Sequence, residues 1–349
     1  MSHVIRPALA AAGAVTLLAA CGSSGTSAQP TATASASATA SPSPVATRTT
    51  SPSAGLPPGM VAVTTAGALV TLNPASGKIS RTLVGSGVLG DEISVARGSA
   101  LVYFARGHGC TDQIEAVPLR GGPAVPITSG RLPAISPDGA KLAYAREPAA
   151  AAGCVPGPGD LNSQYKLVVR TLSTGAQTTY PMLAAGQSSG LPAPISHLSW
   201  ASDSARLAVS ISSIEDNEGW NVVVVDTPVA TSYLSGAGDS DVPVTGRPNP
   251  RDSYLREAVF LPNGSLFVSR ACCAGVPVRN TSRLMWEVST SGVLIHQVAV
   301  GFADLEHTSL DANSSGKWLL YLAGHDLYVS ADGATPRKLA SGLIAAAWK

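Results

Sequence analysis

One pattern returns along most of this chain: a short apolar run, a tight polar turn, and a second apolar run. It stands at Ile135-Ser-Pro-Asp-Gly-Ala-Lys-Leu-Ala-Tyr144 and again at Trp200-Ala-Ser-Asp-Ser-Ala-Arg-Leu-Ala-Val209. Phe260-Leu-Pro-Asn-Gly-Ser-Leu-Phe-Val268 and Val95-Ala-Arg-Gly-Ser-Ala-Leu-Val-Tyr103 follow the same plan, and Leu310 to Tyr321 is a looser fifth copy. Short apolar runs bounded by Gly, Asp, Asn, Ser and Pro are strand signals, and no segment sustains a helical period. Each copy is therefore a hairpin. A second hairpin follows in each unit, as at Leu167 to Gly175, Asn221 to Val225, Trp286 to Gly292 and Leu327 to Gly333.

Four strands per unit, repeated around an axis, describe an all-β chain folded as a β-propeller. Residues 59–83 supply three strands (Met60 to Val63, Ala68 to Leu72, Lys78 to Leu83), and the C-terminus supplies a spare one, Leu343 to Trp348. Splicing Ala-Ala-Trp348-Lys349 onto Met60-Val-Ala-Val63 recreates the repeat, so the last strand is expected to complete the first blade. That closure removes an otherwise exposed sheet edge. The expected count is six four-stranded blades; a seventh would have to be hidden in the irregular loops.

The Ser-Pro-Asp-Gly-x-Lys-Leu-Ala-Tyr stretch at 136–144 resembles the repeat of TolB-type, WD-repeat-like propellers. The resemblance extends over the whole folded region, through more degenerate copies. It implies a fold and not an activity, because such propellers serve many functions.

The N-terminus has the layout of an export signal: Arg6, an apolar run from Ala8 to Leu18, then small residues. The run is too short to span a bilayer permanently. It ends Leu18-Ala19-Ala20-Cys21, which resembles the bacterial lipobox and implies a lipid (diacylglycerol, with palmitate among its acyl chains) on Cys21. Buried acyl methylenes, at about 0.8 kcal/mol each, would hold the chain to a membrane. Residues 22–58 are almost entirely Ser, Thr, Ala, Pro and Gly, with Arg48 the one charge. Such a segment cannot offset its conformational entropy by burial and reads as a disordered tether. The expected organisation is a signal peptide at 1–20, a lipidated stalk at 21–58 and a propeller at 59–349. The expected location is the outer side of the cell membrane, with the lipid as the one membrane contact.

Charged residues are 13% of the chain, and 23 Lys+Arg nearly balance 22 Asp+Glu. A nucleic-acid binder needs a basic excess, so that class is disfavoured. No G-x-S-x-G elbow, P-loop or HExxH helix occurs. The acidic cluster Glu215-Asp216-Asn217-Glu218 and the pair Asp239 and Asp241 lack EF-hand spacing. No residues remain for a hydrolase domain beside the propeller.

Strands labelled A to D from the axis outwards put A–B and C–D turns on one face, B–C and D–A connections on the other. The first class is tight (Asp138-Gly139, Asn263-Gly264, Thr174-Gly175, Ser291-Gly292). The second contains the long stretches 147–163, 212–219, 271–281, 183–194 and 235–253. Long irregular loops on a rigid scaffold are where binding resides. Cys110, Cys154, Cys272 and Cys273 each follow a B strand on that face. In an exported protein they are expected in disulfides, Cys110–Cys154 between neighbouring blades and Cys272–Cys273 as a vicinal pair or bonded elsewhere.

Aligning the A strands on Val95, Ile135, Trp200, Phe260, Leu310 and Trp348 puts Glu92, Leu132, His197, Glu257, His307 and Ala345 three residues earlier, with Glu306 an alternative to His307. Glu92, His197, Glu257 and His307 would converge on the axis, where two His and two Glu could hold a divalent metal or a small polar ligand, or simply line a wet channel. The leading expectation is a monomeric, non-enzymatic envelope module that binds a protein or glycan through its loops and needs no cofactor. The alternatives are a metal-dependent, lactonase-like or cyclase-like hydrolase using the axial residues, and a sensor lipoprotein serving a membrane kinase.

Overall fold

The computed structural model describes residues 59–96, 98–108, 111–146, 166–180, 195–211, 221–226, 255–270, 285–291, 293–299, 307–331 and 335–349. The signal segment, Cys21, the stalk, the long connections and Cys110, Cys154, Cys272 and Cys273 lie outside the described residues.

The alternating runs pair with their sequence neighbours into antiparallel sheets. The first blade contains β1 (Met60–Thr64), β2 (Leu69–Leu72) and β3 (Ile79–Val84), and the second β4 (Val88–Val95), β5 (Leu101–His108), β6 (Thr111–Pro118) and β7 (Val125–Ser129). The third is β8 (Arg131–Ile135), β9 (Lys141–Arg146), β10 (Lys166–Thr171) and β11 (Gln177–Tyr180). The fourth shows β12 (Ile195–Trp200), β13 (Arg206–Ile211) and β14 (Asn221–Asp226); the stretch that would carry its outer strand, 227–254, lies outside the described residues. The fifth is β15 (Leu255–Phe260), β16 (Leu266–Arg270), β17 (Met285–Val288) and β18 (Leu294–Ala299). The sixth is β19 (His307–Ala312), β20 (Trp318–Ala323), β21 (Asp326–Ala331) and β22 (Arg337–Ser341). Finally β23 (Leu343–Trp348) pairs with β1, Trp348 opposite Met60 and Ala346 opposite Ala62, completing the first blade. The propeller is six-bladed, and the C-terminal strand closes it as the splice predicted.

Why these strands are apolar on both faces follows from their position. A middle strand such as β9 is buried along Leu142 to Ala145, because each blade is sandwiched between two others. The outer strand β3 has nothing beyond it and is exposed from Ile79 to Thr82. Among the described residues six apolar clusters result, one at each seam. Phe104, Val102 and Val61 join blades one and two, and Tyr103 meets Tyr144 between two and three. Leu167 meets Leu207 between three and four, and Val222 meets Trp286 between four and five. Phe267 meets Tyr321 between five and six, and Met60 meets Leu320 where the ring closes. Burial at about 25 cal/mol per Å² is thus spread around the ring instead of being pooled in one centre.

The turns of the repeat share one device. The side-chain oxygens of Asp138, Asp203 and Asn263 accept the amide two residues on, from Ala140, Ala205 and Ser265, at 3.0, 2.9 and 2.9 Å. Such Asx turns explain why Asp and Asn recur there. Gly139 follows with φ +73°, a backbone that L side chains rarely adopt.

Candidate functional site

The inner strands β4, β8, β12, β15, β19 and β23 surround the axis. Hydrogen bonds across the seams set how they meet. The hydroxyl of Ser94 accepts the Ile135 amide of the next blade at 3.0 Å, and Ser199 accepts Phe260 at 3.0 Å. The Asp311 carboxylate accepts Trp348 at 2.8 Å. The equivalent residues of the intervening blades are Ala134, Val259 and Ala347. Every second blade therefore offers its neighbour a side-chain acceptor.

A further link is built by the motif lysine. Lys141 stands 5.7 Å from the centre of the Trp200 ring and donates to the Ser204 carbonyl at 2.9 Å. Arg206, its counterpart one blade on, lies 5.5 Å from the Phe260 ring. The indole nitrogen of Trp200 donates to the Ala134 carbonyl at 2.9 Å.

The register corrects the predicted axial row. Trp200 opposes Leu207 and Ile135 opposes Leu142, but in the sixth blade Ala312, not Leu310, takes that place, opposite Leu319. The reason lies in the turn. Asn313 plays the part of Ser136: its side chain accepts the Trp318 amide at 3.0 Å, as Ser136 accepts Lys141 at 2.9 Å. The repeat is displaced by two residues, so the row three positions back reads Glu92, Leu132, His197, Glu257, Ser309 and Ala345. His307 begins β19 opposite Ala323, two positions before Ser309, and Glu306 lies outside the described residues. Leu132 and Ser309, both in this row, have left-handed φ of 53° and 52°. They sit beside irregularities that interrupt β8 and β19.

Of the four predicted ligands, the structure brings His197 and Glu257 together. Nδ1 of His197 is 4.0 Å from Oε2 of Glu257, and both side chains are buried. Burial pushes the His197 imidazolium down to about 4, so at neutral pH it is an uncharged ring beside the carboxyl. The same Glu257 oxygen accepts the Leu310 amide at 3.2 Å, tying the fifth blade to the sixth. Glu92 lies on β4 and His307 on β19, and the side chains of these two are outside the described set. Among the described residues no group of three or more His, Cys, Asp and Glu could hold a metal ion.

A cavity of about 150 Å³ occupies the turn-side end of the channel. His197 and Ser309 line it, with Ser94, Ser199 and Asp311 around the wall and Pro137, Ser314 and Lys349 toward the turns. Trp348 also lines it, and its indole Nε1 is buried without a hydrogen-bond partner among the described residues. The sequence pointed to the axis but not to this end of it, because Ser94, Ser199 and Asp311 look unrelated until the register aligns them.

No protein-family model matches the chain, and no curated protein matches it. Among solved structures it is similar to hydrazine synthase of Kuenenia stuttgartiensis, at 11% identity over 78% of this chain and 76% of that one, with a TM-score of 0.48. It is also similar to tricorn protease, at 11% identity over 81% of this chain and 29% of that one, with a TM-score of 0.46. The β-propeller domain of Myceliophteria thermophila Cps50 (Swd1) aligns at 13% identity over 80% and 82%, with a TM-score of 0.46. At such distances the assignment rests on the chain's own strand order and closure, which are those of a six-bladed β-propeller.

Proposed function

We propose that this chain is a TolB-type, WD-repeat-like envelope lipoprotein, held to the membrane through Cys21. Its propeller is a non-enzymatic module that binds an envelope protein or glycan with the face carrying the long connections. The observation that carries this is where the chain enters and leaves the ring. Gly59 and Lys349 meet at the A–B junction of the first blade, where the Lys349 amide donates to the Gly59 carbonyl at 3.4 Å. That junction lies at the end of the tight turns. The long connections after β9, β11, β13 and β16 all depart from the opposite end. Whatever precedes Gly59 in the chain therefore joins the ring at the end opposite the long connections.

Those connections are also gathered in one sector. On the same face the sixth, first and second blades join their B and C strands through 324–325, 65–68 and 109–110. The third, fourth and fifth blades use 147–165, 212–220 and 271–284. The longer connections thus belong to three consecutive blades and the shorter ones to the other three, which suits one-sided engagement of a partner.

The test is in-cell crosslinking followed by pull-down, comparing the intact lipoprotein with a form whose 147–165 and 271–284 connections are trimmed. Capture of a membrane or secreted protein, or a glycan, by the intact form alone supports the reading. Equal capture by both forms, or by neither, sinks it. The His197–Glu257 contact favours one second reading, an axial metal-dependent hydrolase. It requires bound metal in the purified protein and an activity lost on chelation and in Glu257→Ala.

A further inference from the structure

We infer that the turn-side face of the sixth, first and second blades is a docking surface for a membrane of anionic phospholipids. It is a second membrane contact beside the lipid proposed on Cys21, at the end of the ring opposite the long connections. The first observation is where the cations stand. The C–D turns contribute Lys78 in the first blade and Arg120 in the second, and Arg337 follows that turn in the sixth. The A–B turn of the sixth blade contributes Lys317, and the side chain of Lys349 lies over Gly59 at the junction of the first. Arg81, on β3, reaches the turn of the second blade and donates to the Arg120 carbonyl. Arg337 donates to the Ala75 carbonyl, in the turn of the first blade, at 3.4 Å. Neighbouring turns are thereby drawn into one surface.

The second observation is that nothing nearby neutralises them. Lys78, Arg81, Arg120, Lys317, Arg337 and Lys349 are all exposed, and none forms an ion pair among the described residues. The described residues of these turns, 73–78, 98–100, 119–124, 313–317 and 335–336, include no Asp or Glu. Arg97 and Asp332, in the same turns, lie outside the described residues and balance in charge. Blades three to five differ. There Lys141 and Arg206 are spent on the rings of Trp200 and Phe260, Arg170 donates to the Ile127 carbonyl, and Asp138 and Asp203 stand in the turns. The positive excess is therefore confined to one sector of a chain whose 23 Lys+Arg nearly balance its 22 Asp+Glu.

Two features favour a membrane over a soluble polyanion. Ile79, next to Lys78 on β3, is 56% exposed. An apolar side chain flanked by cations can enter the boundary between headgroups and acyl chains, which a soluble polyanion does not offer. The chain also enters the ring on this face, at Gly59. A lipid on the same chain makes docking an intramolecular step, for which weak attractions suffice. This second feature rests on the reading of Cys21 proposed above. Each cation close to an anionic surface multiplies partitioning roughly fivefold.

The test is vesicle sedimentation with the full chain carrying Cys21→Ala, so that no acyl chain contributes. Background from the apolar segment 8–18 is common to every form compared. Binding to vesicles of mixed phosphatidylglycerol and phosphatidylcholine should exceed binding to phosphatidylcholine alone at about 0.1 M salt. It should fall away at about 1 M, where the screening length shrinks from about 10 to about 3 Å. Lys78→Gln, Arg120→Gln and Lys317→Gln together remove three charges whose side chains hold no hydrogen bond among the described residues. They should weaken anionic-vesicle binding on the order of a hundredfold, with the melting temperature unchanged. Lys166→Gln, at the opposite end of its blade, should leave binding as it was. Binding indifferent to lipid charge or to salt overturns the proposal. So does binding that survives the triple variant, binding that Lys166→Gln weakens as much as Lys78→Gln, or capture of soluble polyphosphate in place of vesicles. Palmitate labelling of Cys21 in cells reads the anchor separately, and trimming the long connections should leave vesicle binding intact, so the three readings fail separately.

Discussion

An imidazole buried in the channel wall is tolerated while it carries no charge, and His197 shows the consequence most directly. Its folded value, about 4, lies below the ordinary 6.5, so the unfolded chain takes up the proton first as pH falls. The sign follows: the His197 contribution is complete above pH 6.5 and is lost as pH falls toward about 4. At 1.36 kcal/mol per pH unit the loss is roughly 3 kcal/mol. Urea unfolding across that window should show stability rising with pH, and His197→Asn should flatten the slope; an unchanged slope would mean another group sets it. Lys141 makes the complementary point. Lys141→Ala should cost about 1 kcal/mol through the lost ring and carbonyl contacts, read as a lower urea midpoint. The motif made that lysine visible, but its partners Trp200 and Ser204 are some sixty positions on, and only the ring brings them near.

Between elements, the alternating acceptors are the part least visible beforehand. Ser94, Ser199 and Asp311 share no motif, and each serves a strand of the following blade. Ser199→Ala should leave the Phe260 amide without its acceptor and cost about 1–3 kcal/mol, whereas Ser80→Ala on exposed β3 should be neutral by urea unfolding. Gly316→Ala should be costlier than a surface glycine change, because φ is +70° and the new Cβ would stand 2.8 Å from Pro262. Strands and tight turns were legible because period-two runs and Asx residues encode them locally. The sixth blade's alignment was not. Its turn begins at Asn313, and a hydroxyl and an amide side chain cap the same backbone group without looking alike. That one substitution moved His307 into the predicted site and hid Ser309.

At the scale of the whole molecule, closure is the property on which the rest depends. Deleting 343–349 would strip the partner from β1 and expose the clusters on either side of the first blade. We expect the truncated protein to lose its single cooperative transition and to aggregate. A circular permutant that joins Lys349 to Gly59 through a short turn and opens the chain within 147–165 should keep it. Circular dichroism melts of the two would separate closure from mere chain length. Closure was legible in the spare strand at one end and the missing strand at the other. The contents of the axis were not, because they depend on six registers being right together.

The same arrangement has a mechanical side. Any pull transmitted through residue 58 reaches the ring at the head of β1, which is hydrogen-bonded on one flank to β2 and on the other to β23. Tension along that strand must slide it against both neighbours at once, so the ladders share the force in parallel and no single bond is peeled in turn. A disc gripped in this way resists a stretched leash far better than one hung from an edge strand. Once it yields, the clasp that closes the ring goes with it.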